Sequence, residues 1–374
     1  MGRFIISCGG TGGHLSPGIA LGEALVARGH AATLLISNKK VDARLIEKYG
    51  NLKFQRIPGA PFTLNPVGLV RFILKQGTAF LYGINLVRTQ RPDGIVGFGG
   101  FTTASVILAG AFLKVPVVLH EANRVPGRAI RLLGRLAHRV YLPQGIRLPD
   151  VGKTALRHMG LPVRKEIVRE PRSEALQSFG FDPRFRVLVV LGGSQGATAL
   201  NEWSFKNAAA LALEGVQLCC ITGLGKREAE ILEFKTRLGE PIKASFIPFC
   251  DRMGALLSTA DFVVSRAGAG TIAELIRCTT PAILIPYPFA ADNHQWANAR
   301  FFEMQGGGIV IAQEHMNDLT AEVRDVIFND VLIQKFKANL VRMDRANSLD
   351  DMLNDLEALI APAPAQVPVP PKIA

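Results

Sequence analysis

Residues 3–14 read Arg-Phe-Ile-Ile-Ser-Cys-Gly-Gly-Thr-Gly-Gly-His, and this stretch decides the fold of the first half of the chain. A short apolar run that ends in glycines is typical of a buried strand followed by a tight turn. A helical pattern follows over Pro17–Arg28, for which Ser16 is the predicted N-cap and Gly29 the stop. The sequence therefore predicts a strand, a glycine-rich turn and a helix in succession.

The same signature returns in the second half of the chain. Arg186–Leu191 is a strand pattern, Gly192-Gly193-Ser194-Gln195-Gly196 is a glycine-rich turn, and Thr198–Leu213 has helical character. The repeat is one of architecture and not of sequence. It predicts an α/β protein of two doubly wound, Rossmann-like domains that face each other across a cleft, where ligands bind outside the carboxyl ends of the strands.

The remaining apolar runs extend both units. A helix is predicted over Thr102–Leu113, and the further strands are predicted at Ala32–Ser37, Phe54–Ile57, Gly94–Val96, Val115–His120, Val216–Ile221, Ala244–Ile247, Phe262–Ser265 and Ala282–Pro286. Apolar runs between helices are typical of a parallel sheet buried on both faces. The expected domains are residues 1–160 and 161–340. A helix within about 341–360, at Leu349–Ile360, returns to the first domain, and residues 361–374, with five prolines, form a disordered tail.

Charge is distributed unevenly along the 374 residues. Residues 1–160 contain 21 Lys and Arg against 6 Asp and Glu, whereas the rest of the chain contains 22 against 25. Such asymmetry suggests a polyanionic partner for the first half, either nucleic acid or an anionic membrane surface, although a merely soluble basic surface remains an alternative. Five cysteines without a CxxC pair favour free thiols in a reducing cytosol, and no apolar run is long enough to span a membrane.

The first glycine turn, Gly9–Gly13, can hold an anionic group, because backbone N–H groups at a helix start attract anions. It fits neither GxGxxG nor the P-loop pattern. His14 follows it and is a candidate general base. The second turn, with Ser194 and Gln195, suits a diphosphate. Either turn could instead be purely structural, and His14 could simply cap its turn.

Three polar stretches are further candidates for ligand contacts. In Ser265–Glu274, Thr271 offers a hydroxyl and Glu274 a carboxylate for ribose hydroxyls, although the two could instead form a capping box. Asp292–Gln295 could bind sugar hydroxyls or cap a helix. His120–Asn123 could face the cleft or form a local turn network.

A run of apolar side chains is flanked by the basic residues Arg56, Arg71 and Lys75. It comprises Phe62, Leu64, Val67, Leu69, Val70, Phe72, Ile73 and Leu74. Such a combination suits contact with an anionic bilayer, and burial in the core is the alternative.

These motifs together resemble the MurG family of bacterial cell-wall synthesis. The resemblance covers about residues 3–340. It depends on Gly9–His14, Gly97–Gly100, His120–Asn123, Gly160–Arg164, Gly192–Ala197, Ser265–Glu274 and Asn293–Gln295. It implies the GT-B glycosyltransferase fold and an inverting transfer of N-acetylglucosamine from UDP-N-acetylglucosamine to the 4-hydroxyl of the muramoyl sugar of lipid I. It implies neither a cofactor nor a metal, and it places the protein peripherally on the cytoplasmic face of the inner membrane, with proteins of cell-wall synthesis as candidate partners.

The resemblance also implies residue roles. The donor would contact Arg164, Ser194, Gln195, Ile247 through its backbone, Thr271, Glu274 through the ribose hydroxyls, and Gln295. The acceptor side of the cleft would be lined by Thr11, Gly12, Gly13 and Asn123, with His14 as the base. The sequence departs from the family pattern at Phe101, at Gly270 and in the proline-rich tail.

Three other functions stay open at this point. A GT-B transferase could use another acceptor, such as a lipid or a small metabolite. A nicotinamide-dependent oxidoreductase could hold a 2′-phosphate at Ser37–Lys40, but its glycine spacing is wrong. A nucleic-acid-binding protein would fit the pI of about 9.7, but no recognised binding module is present and aromatic residues are only 7% of the chain.

Overall fold

The computed structural model describes residues 1–10, 12–37, 46–58, 65–153, 155–193, 196–345 and 349–361, without the side chains of residues 66, 67, 69 and 101. Five positions of the predicted sites and surfaces, Thr11, Phe62, Leu64, Ser194 and Gln195, lie outside the described residues. The same is true of residues 38–40, which belong to the nicotinamide alternative, and of residues 362–374 of the tail.

The first sheet has seven parallel strands in the order β3-β2-β1-β4-β5-β6-β7. The strands are β1 Arg3–Ser7, β2 Ala31–Ile36, β3 Lys53–Arg56, β4 Gly94–Gly97, β5 Val117–His120, β6 Arg139–Leu142 and β7 Leu156–His158. Its helices are α1 Gly12–Ala27, α2 Pro66–Gln90, α3 Phe101–Phe112 and α4 Arg128–Leu133, the last followed by a 3-10 turn at Gly134–Leu136.

The second sheet also has seven strands, in the order β10-β11-β9-β8-β12-β13-β14. The strands are β8 Arg186–Leu191, β9 Val216–Ile221, β10 Glu230–Lys235, β11 Pro241–Ile247, β12 Phe262–Ser265, β13 Ala282–Leu284 and β14 Gly308–Val310. The helices are α5 Arg172–Phe179, α6 Thr198–Leu213, α7 Met253–Thr259, α8 Ala269–Cys278, α9 His294–Met304, α10 Leu319–Ile327, α11 Asp330–Asp344 and α12 Leu349–Ile360, with 3-10 turns at Ala291–Asn293 and Gln313–His315.

One edge of the second sheet differs from the predicted parallel arrangement. β10, which the sequence analysis missed, runs antiparallel to β11. Only a short hairpin joins the two strands, and its Gly239 adopts a φ of 83°. A connection this short cannot return the chain to form a parallel pair. Exposed and half-buried residues alternate along β10, as expected for a strand at a sheet edge.

The first helix begins earlier than its sequence predicts. α1 starts at Gly12, so the expected N-cap Ser16 lies inside the helix and Pro17 lies in its second turn. Sequence reasoning had placed Pro17 at the first helical position, where proline is most common. Because Pro17 has no N–H, it cannot donate a helical hydrogen bond to the carbonyl of Gly13. Gly12 and Gly13 of the glycine turn therefore belong to the helix start, whereas Gly9 and Gly10 precede it.

The last two helices pack on different sheets. Leu340 of α11 is buried against the second sheet, whereas Met352 and Leu353 of α12 are buried in the core of the first. Arg28, at the end of α1, pairs with Asp350 of α12 at 2.7 Å. The chain thus returns to its first half between α11 and α12.

Both sheets reverse strand order beside a glycine turn. In the first sheet the reversal lies between β1 and β4, and in the second it lies between β8 and β12. We call Gly9–Gly10 with Gly97–Gly100 the first switch point, and Gly192–Gly196 with Ser265–Gly270 the second. Such positions are where ligands bind in open α/β sheets. The two units approach each other because α1, which follows the first switch point, packs against α8, which follows the second.

Candidate functional site

Glycines shape the first switch point. A side chain at Gly9 would overlap the backbone of Ile36 and Ser37, and Gly99 and Gly100 adopt φ values of 96° and 80°. L-residues with side chains rarely adopt such angles. The turn is therefore restricted to glycine by both packing and conformation.

The imidazole of His14 packs against this turn. A Cβ atom at Gly99 would lie 3.3 Å from Nε2 of His14, and one at Gly100 would lie 3.2 Å from Nδ1. The side chain of His14 is half-buried at the start of α1. Beside it, Gly12 is buried and Gly13 is exposed. The structure thus brings the predicted base and two of the predicted acceptor residues to one surface.

The segment after β5 forms a buried polar network. Oε1 of Glu121 accepts the backbone N–H of Asn123 at 2.8 Å and its side-chain amide at 3.0 Å, while Oε2 accepts the N–H of Gly127 at 2.6 Å. The local network offered as an alternative in the sequence analysis is therefore present. It also reaches the other sheet, because Oδ1 of Asn123 accepts a hydrogen bond from Asn298 of α9 at 3.0 Å.

His120, the last residue of β5, is buried and neutral. Its Nε2 lies 3.1 Å from the carbonyl oxygen of Gly160, and a carbonyl can only accept, so Nε2 carries the proton. Nδ1 has no hydrogen-bond partner in the part of the chain that the structure describes. Burial lowers the pKa of His120 to about 4. This side chain anchors the chain segment that leads from the first sheet to the second.

Close backbone packing shapes the glycine turn of the second switch point. A side chain at Gly192 would overlap the backbone of Gly196 and Ala197, and one at Gly196 would overlap the carbonyl of Thr222. Gly193 and Gly196 have φ values of 77° and 68°. This turn leads to α6, whose N-cap residue Ala197 makes no side-chain cap.

Helix α8 begins at the second switch point with free backbone donors. Its N-cap is Gly268, without a side-chain cap, so Thr271 lies inside the first turn. The capping box suggested for Thr271 and Glu274 is therefore wrong. Space is open beside Gly270, where an added Cβ would meet no atom of the described residues within 4 Å outside its own helix. Uncapped N–H groups next to open space suit an anionic ligand.

Arg164 and Glu274, both predicted donor residues, bind each other. Nη2 of Arg164 lies 3.2 Å from Oε1 of Glu274, and Nη1 lies 3.2 Å from the hydroxyl of Tyr49 and 3.4 Å from Glu166. Tyr49 donates a short hydrogen bond to Glu166. The cluster joins the two sheets, because Tyr49 belongs to the first unit and Glu274 to α8.

Electrostatics within this cluster are dominated by burial. Burial raises the pKa of Glu274, and the nearby guanidinium of Arg164 opposes the shift. Burial would also lower the pKa of Arg164, but the carboxylate of Glu274 and the neighbouring Tyr49 outweigh it and raise that pKa. The Glu274 carboxylate is thus already paired in this structure. A ribose would have to share it with Arg164 or replace that contact.

The other predicted donor residues support the backbone. Oε1 of Gln295 accepts the N–H of Ala267 at 3.2 Å and that of Tyr287 at 3.0 Å, which ties together the loops after β12 and β13. The carbonyl of Ile247, at the end of β11, accepts the N–H of Thr222 at 2.9 Å. Ile247 therefore lies at the carboxyl end of a strand of the second sheet, and Gln295 of α9 holds the loops that follow two other strands.

The segment before α9 carries a carboxylate that bonds to the first unit. Asn293 is the N-cap residue but makes no side-chain cap, so the capping alternative is wrong for it. Asp292 pairs with Arg131 at 2.6 Å and with Arg128 at 3.8 Å. Both arginines belong to α4 of the first unit, so this carboxylate joins the two units as well.

Two buried residues at the site were missed. Asn298 contacts both the segment after β5 and the second switch point through its amide. Arg266 donates to the carbonyls of Ile285 at 3.1 Å and Pro286 at 3.3 Å. Within the described residues no carboxylate pairs with Arg266, and burial lowers its pKa. One signal could have pointed to Asn298: it follows Gln295 by three residues and so shares its helix face.

Relatives identify the family to which the chain belongs. The chain matches the models of the glycosyltransferase family 28 N-terminal domain over residues 4–142 and C-terminal domain over residues 187–351. A protein of Opitutus terrae is 60% identical over 96% of this chain and 95% of its own length, and its name is UDP-N-acetylglucosamine–N-acetylmuramyl-(pentapeptide) pyrophosphoryl-undecaprenol N-acetylglucosamine transferase. The chain belongs to the MurG family. A second MurG-family relative of the same name, from Halothermothrix orenii, is 32% identical over 95% of this chain and 98% of its own.

Solved structures agree on the fold. The crystal structure of Acinetobacter baumannii MurG aligns with a TM-score of 0.68 over 95% of this chain and 99% of its own, at 21% identity. The calicheamicin glycosyltransferase CalG4 aligns with a TM-score of 0.67 over 96% of this chain and 98% of its own, at 14% identity. The predicted GT-B arrangement of two Rossmann-like domains is confirmed.

Proposed function

We propose that the protein transfers N-acetylglucosamine from UDP-N-acetylglucosamine to the 4-hydroxyl of the N-acetylmuramoyl-pentapeptide of lipid I, which forms lipid II for peptidoglycan. The observation that carries this proposal is the 60% identity to the Opitutus terrae transferase along almost the whole of both chains. Two glycine turns at facing switch points support it from the geometry. In this proposal the first turn belongs to a domain of residues 1–160 that α12 completes, and the second turn belongs to a domain of residues 161–340.

The second switch point holds the donor in this proposal. The uncapped N–H groups at the start of α8 and the open space at Gly270 accommodate the diphosphate, which carries the negative charge. Thr271 contributes a hydroxyl, and Arg164 and Glu274 reorganise to bind the phosphate and the ribose. Ile247 meets the uracil through its backbone, and Ser194, Gln195 and Gln295 complete the donor side. Because α8 and α6 are uncapped, the helix dipoles also stabilise the charge that grows on the leaving UDP.

The first switch point holds the acceptor. Thr11, Gly12, Gly13 and Asn123 line the acceptor side, and His14 is the general base. His14 removes the proton from the 4-hydroxyl while the hydroxyl oxygen bonds to the anomeric carbon of N-acetylglucosamine. The bond from that carbon to the diphosphate oxygen breaks, and UDP leaves with the electron pair. A single displacement of this kind inverts the anomeric configuration.

An apolar face on the first unit suits a bilayer surface. We call it the α2–α3 face; it consists of Val70, Ile73, Leu74, Leu81, Leu108 and Phe112, all between 40% and 70% exposed. The rings of Phe80 on α2 and Phe112 on α3 meet edge to face at 6.4 Å, so the two helices present one continuous surface. Exposure of Val70, Ile73 and Leu74 contradicts the alternative that these three fill the core.

Charge and topology support peripheral attachment through this face. Arg71 and Lys75 are exposed on α2 among its apolar residues. None of the described helices combines the length and apolar character that crossing a bilayer requires. Insertion of apolar side chains with nearby basic charges would hold the protein on the anionic cytoplasmic face of the inner membrane, next to a lipid-linked acceptor and to other proteins of cell-wall synthesis.

A transfer assay tests the activity. Radiolabelled UDP-N-acetylglucosamine is supplied with lipid I or with other lipid and small-molecule acceptors, and labelled product is separated by chromatography. We expect label on lipid I alone. His14→Ala should lower kcat at least 100-fold with unchanged UDP affinity, because general bases typically contribute factors of 10²–10⁴. His158→Ala, which removes an exposed histidine of the same unit, is the matched control. Normal turnover by His14→Ala would defeat the assignment of the base.

Vesicle sedimentation tests the membrane face. Ile73→Ser with Leu74→Ser should reduce binding to anionic vesicles at least tenfold, since two apolar anchors are lost. The control Leu238→Ser removes a side chain that is 88% exposed on the second unit and should bind like the wild type. Equal binding of the wild type to neutral and anionic vesicles would contradict the electrostatic part of the proposal.

A further inference from the structure

A single buried carboxamide joins the segment after β5 in the first unit to the second switch point. Asn298 of α9 is 4% exposed. Its Oδ1 accepts the backbone N–H of Arg124 at 2.9 Å, and its Nδ2 donates to Oδ1 of Asn123 at 3.0 Å and to the carbonyl of Ala267 at 3.1 Å. Two of these partners follow β5 in the first unit, and the third lies in the loop between β12 and α8. Both amide hydrogens of Asn298 are therefore used, one toward each unit.

On the second unit, α9 fixes the backbone at Ala267. The N–H of Ala267 donates to Gln295 at 3.2 Å, and its carbonyl accepts from Asn298. Gln295 and Asn298 are three residues apart and lie on one face of the helix. Since Ala267 precedes the N-cap Gly268 by one residue, any shift of the start of α8 must move α9 or break these bonds.

On the first unit, the same carboxamide fixes the segment predicted to line the acceptor. The position of Asn123 is set from one side by Glu121, which accepts both its N–H groups, and from the other by Asn298. Arg124 adds a further tie, because its guanidinium lies 3.9 Å above the ring of Phe301 on α9. The orientation of this segment therefore depends on where α9 lies.

We propose that Asn298 is a positioning residue that couples occupation of the donor site to the orientation of the acceptor segment at Asn123 and Arg124. The inference rests on the proposed function, which places a donor at the start of α8 and an acceptor at Asn123. A donor that fixes the start of α8 also fixes Ala267. The hydrogen bonds of Asn298 then fix the acceptor segment at Asn123 and Arg124. Asn298 itself touches neither substrate.

The chemistry of the carboxamide explains why asparagine serves this role. Two of its bonds require a donor and one requires an acceptor, and the three groups belong to two different segments. Aspartate of the same shape keeps the acceptor but loses both donors, and alanine loses all three bonds. Coupling between two ligands is reciprocal at equilibrium, so it can be measured from either site.

The test is a binding cycle with the full-length protein. Calorimetry gives the affinity of UDP and that of a short-chain lipid I analogue, each alone and with the other present. In the wild type we expect UDP to tighten binding of the analogue about 5- to 100-fold, the usual range of such coupling. In Asn298→Ala the factor should fall to about one, while the affinity for UDP alone changes less than threefold. Asn298→Asp should also lose the coupling, and it provides the test if the alanine variant folds poorly.

Hydrogen exchange supplies an independent readout. The N–H of Arg124 donates to Asn298, so UDP should slow its exchange in the wild type and leave it unchanged in Asn298→Ala. Asn339→Ala is the matched control: Asn339 donates to the carbonyl of Gly306 at 2.9 Å on the second unit, and none of its hydrogen bonds among the described residues reaches the first unit. This control should retain the full coupling factor.

The outcomes separate the two claims. A wild type that binds no UDP contradicts the proposed function, and the inference with it. A wild type that binds UDP and transfers sugar but shows no coupling overturns the inference alone. So does an Asn298→Ala variant that keeps the wild-type factor, or a loss of the same size in Asn339→Ala.

Discussion

The two switch points are built alike in their backbones and differently in their side chains. At the first, glycines leave room for the imidazole of His14, which packs directly on the turn at Gly99 and Gly100. At the second, polar side chains hydrogen-bond to the backbone, with the buried Arg266 on the carbonyls that follow β13 and the half-buried Gln295 on two N–H groups.

This difference indicates a division of labour. The second switch point presents helix N–H groups whose positions are fixed before a ligand binds, which suits a diphosphate that must be held while charge develops on it. The first presents one titratable side chain beside a glycine turn, which suits proton transfer to or from an acceptor hydroxyl.

The largest effect on stability should come from substitutions in the tightly packed glycine turns that both switch points contain. Gly9→Ala and Gly192→Ala each place a methyl group onto backbone atoms, so each should lower the free energy of unfolding by about 3–5 kcal/mol or prevent folding. Urea denaturation followed by circular dichroism measures the loss. Gly50→Ala, where an added Cβ meets nothing within 4 Å, is the control. A mild effect at one turn only would show that the backbones are not equivalent.

The next largest effect is a pH dependence of stability that comes from His120 in the first unit. Burial holds the pKa of His120 at about 4, below the ordinary value of about 6.5. A lowered pKa contributes stability above pH 6.5 that is lost as the pH falls through 4, so about 3 kcal/mol should disappear across this window.

Thermal unfolding from pH 7 to pH 4 measures this contribution. His120→Gln is less stable at pH 7 but has no imidazole to protonate. Its stability should therefore fall less steeply than that of the wild type. Parallel curves for the two proteins would contradict a neutral, buried His120.

A smaller effect should distinguish the second switch point. Gln295→Ala leaves the N–H groups of Ala267 and Tyr287 without their acceptor, and net hydrogen bonds contribute about 1 kcal/mol each. We expect UDP affinity to fall about 5- to 30-fold by calorimetry. Binding of an acceptor analogue in the absence of UDP should stay within twofold of the wild type. A change in acceptor binding larger than the change in UDP binding would reverse the assignment of the two switch points.

Around both switch points, the sequence predicts the strands and helices whose ends depend only on neighbouring residues. Strands at Arg186–Leu191 and Val216–Ile221 and the helix at Thr198–Leu213 are confirmed to the residue, because apolar runs and glycines mark their ends. The start of α1 was missed, since Pro17 suggested a helix start that Gly12 in fact provides. The edge strand β10 was missed because its pattern depends on a hairpin partner.

Contacts between distant segments could not be predicted. Arg164, Glu274 and Tyr49 are far apart in the sequence, and only the fold brings Arg164 into contact with Glu274 and Tyr49. No local sequence motif around Asn298 indicates that its side chain forms hydrogen bonds with three groups in two units. Sequence patterns indicate interactions within a few residues, whereas the hydrogen bonds across this cleft join residues more than 100 positions apart.

The most direct test of the account is a titration of UDP-N-acetylglucosamine into the wild type and into Gly270→Leu. Space beside Gly270 is open, so leucine should change the free energy of unfolding by no more than about 1 kcal/mol. The account predicts one donor bound per chain of the wild type and at least tenfold weaker binding by Gly270→Leu, because the side chain fills the diphosphate space. Absence of binding by the wild type, or equal affinity in a folded Gly270→Leu, would contradict it.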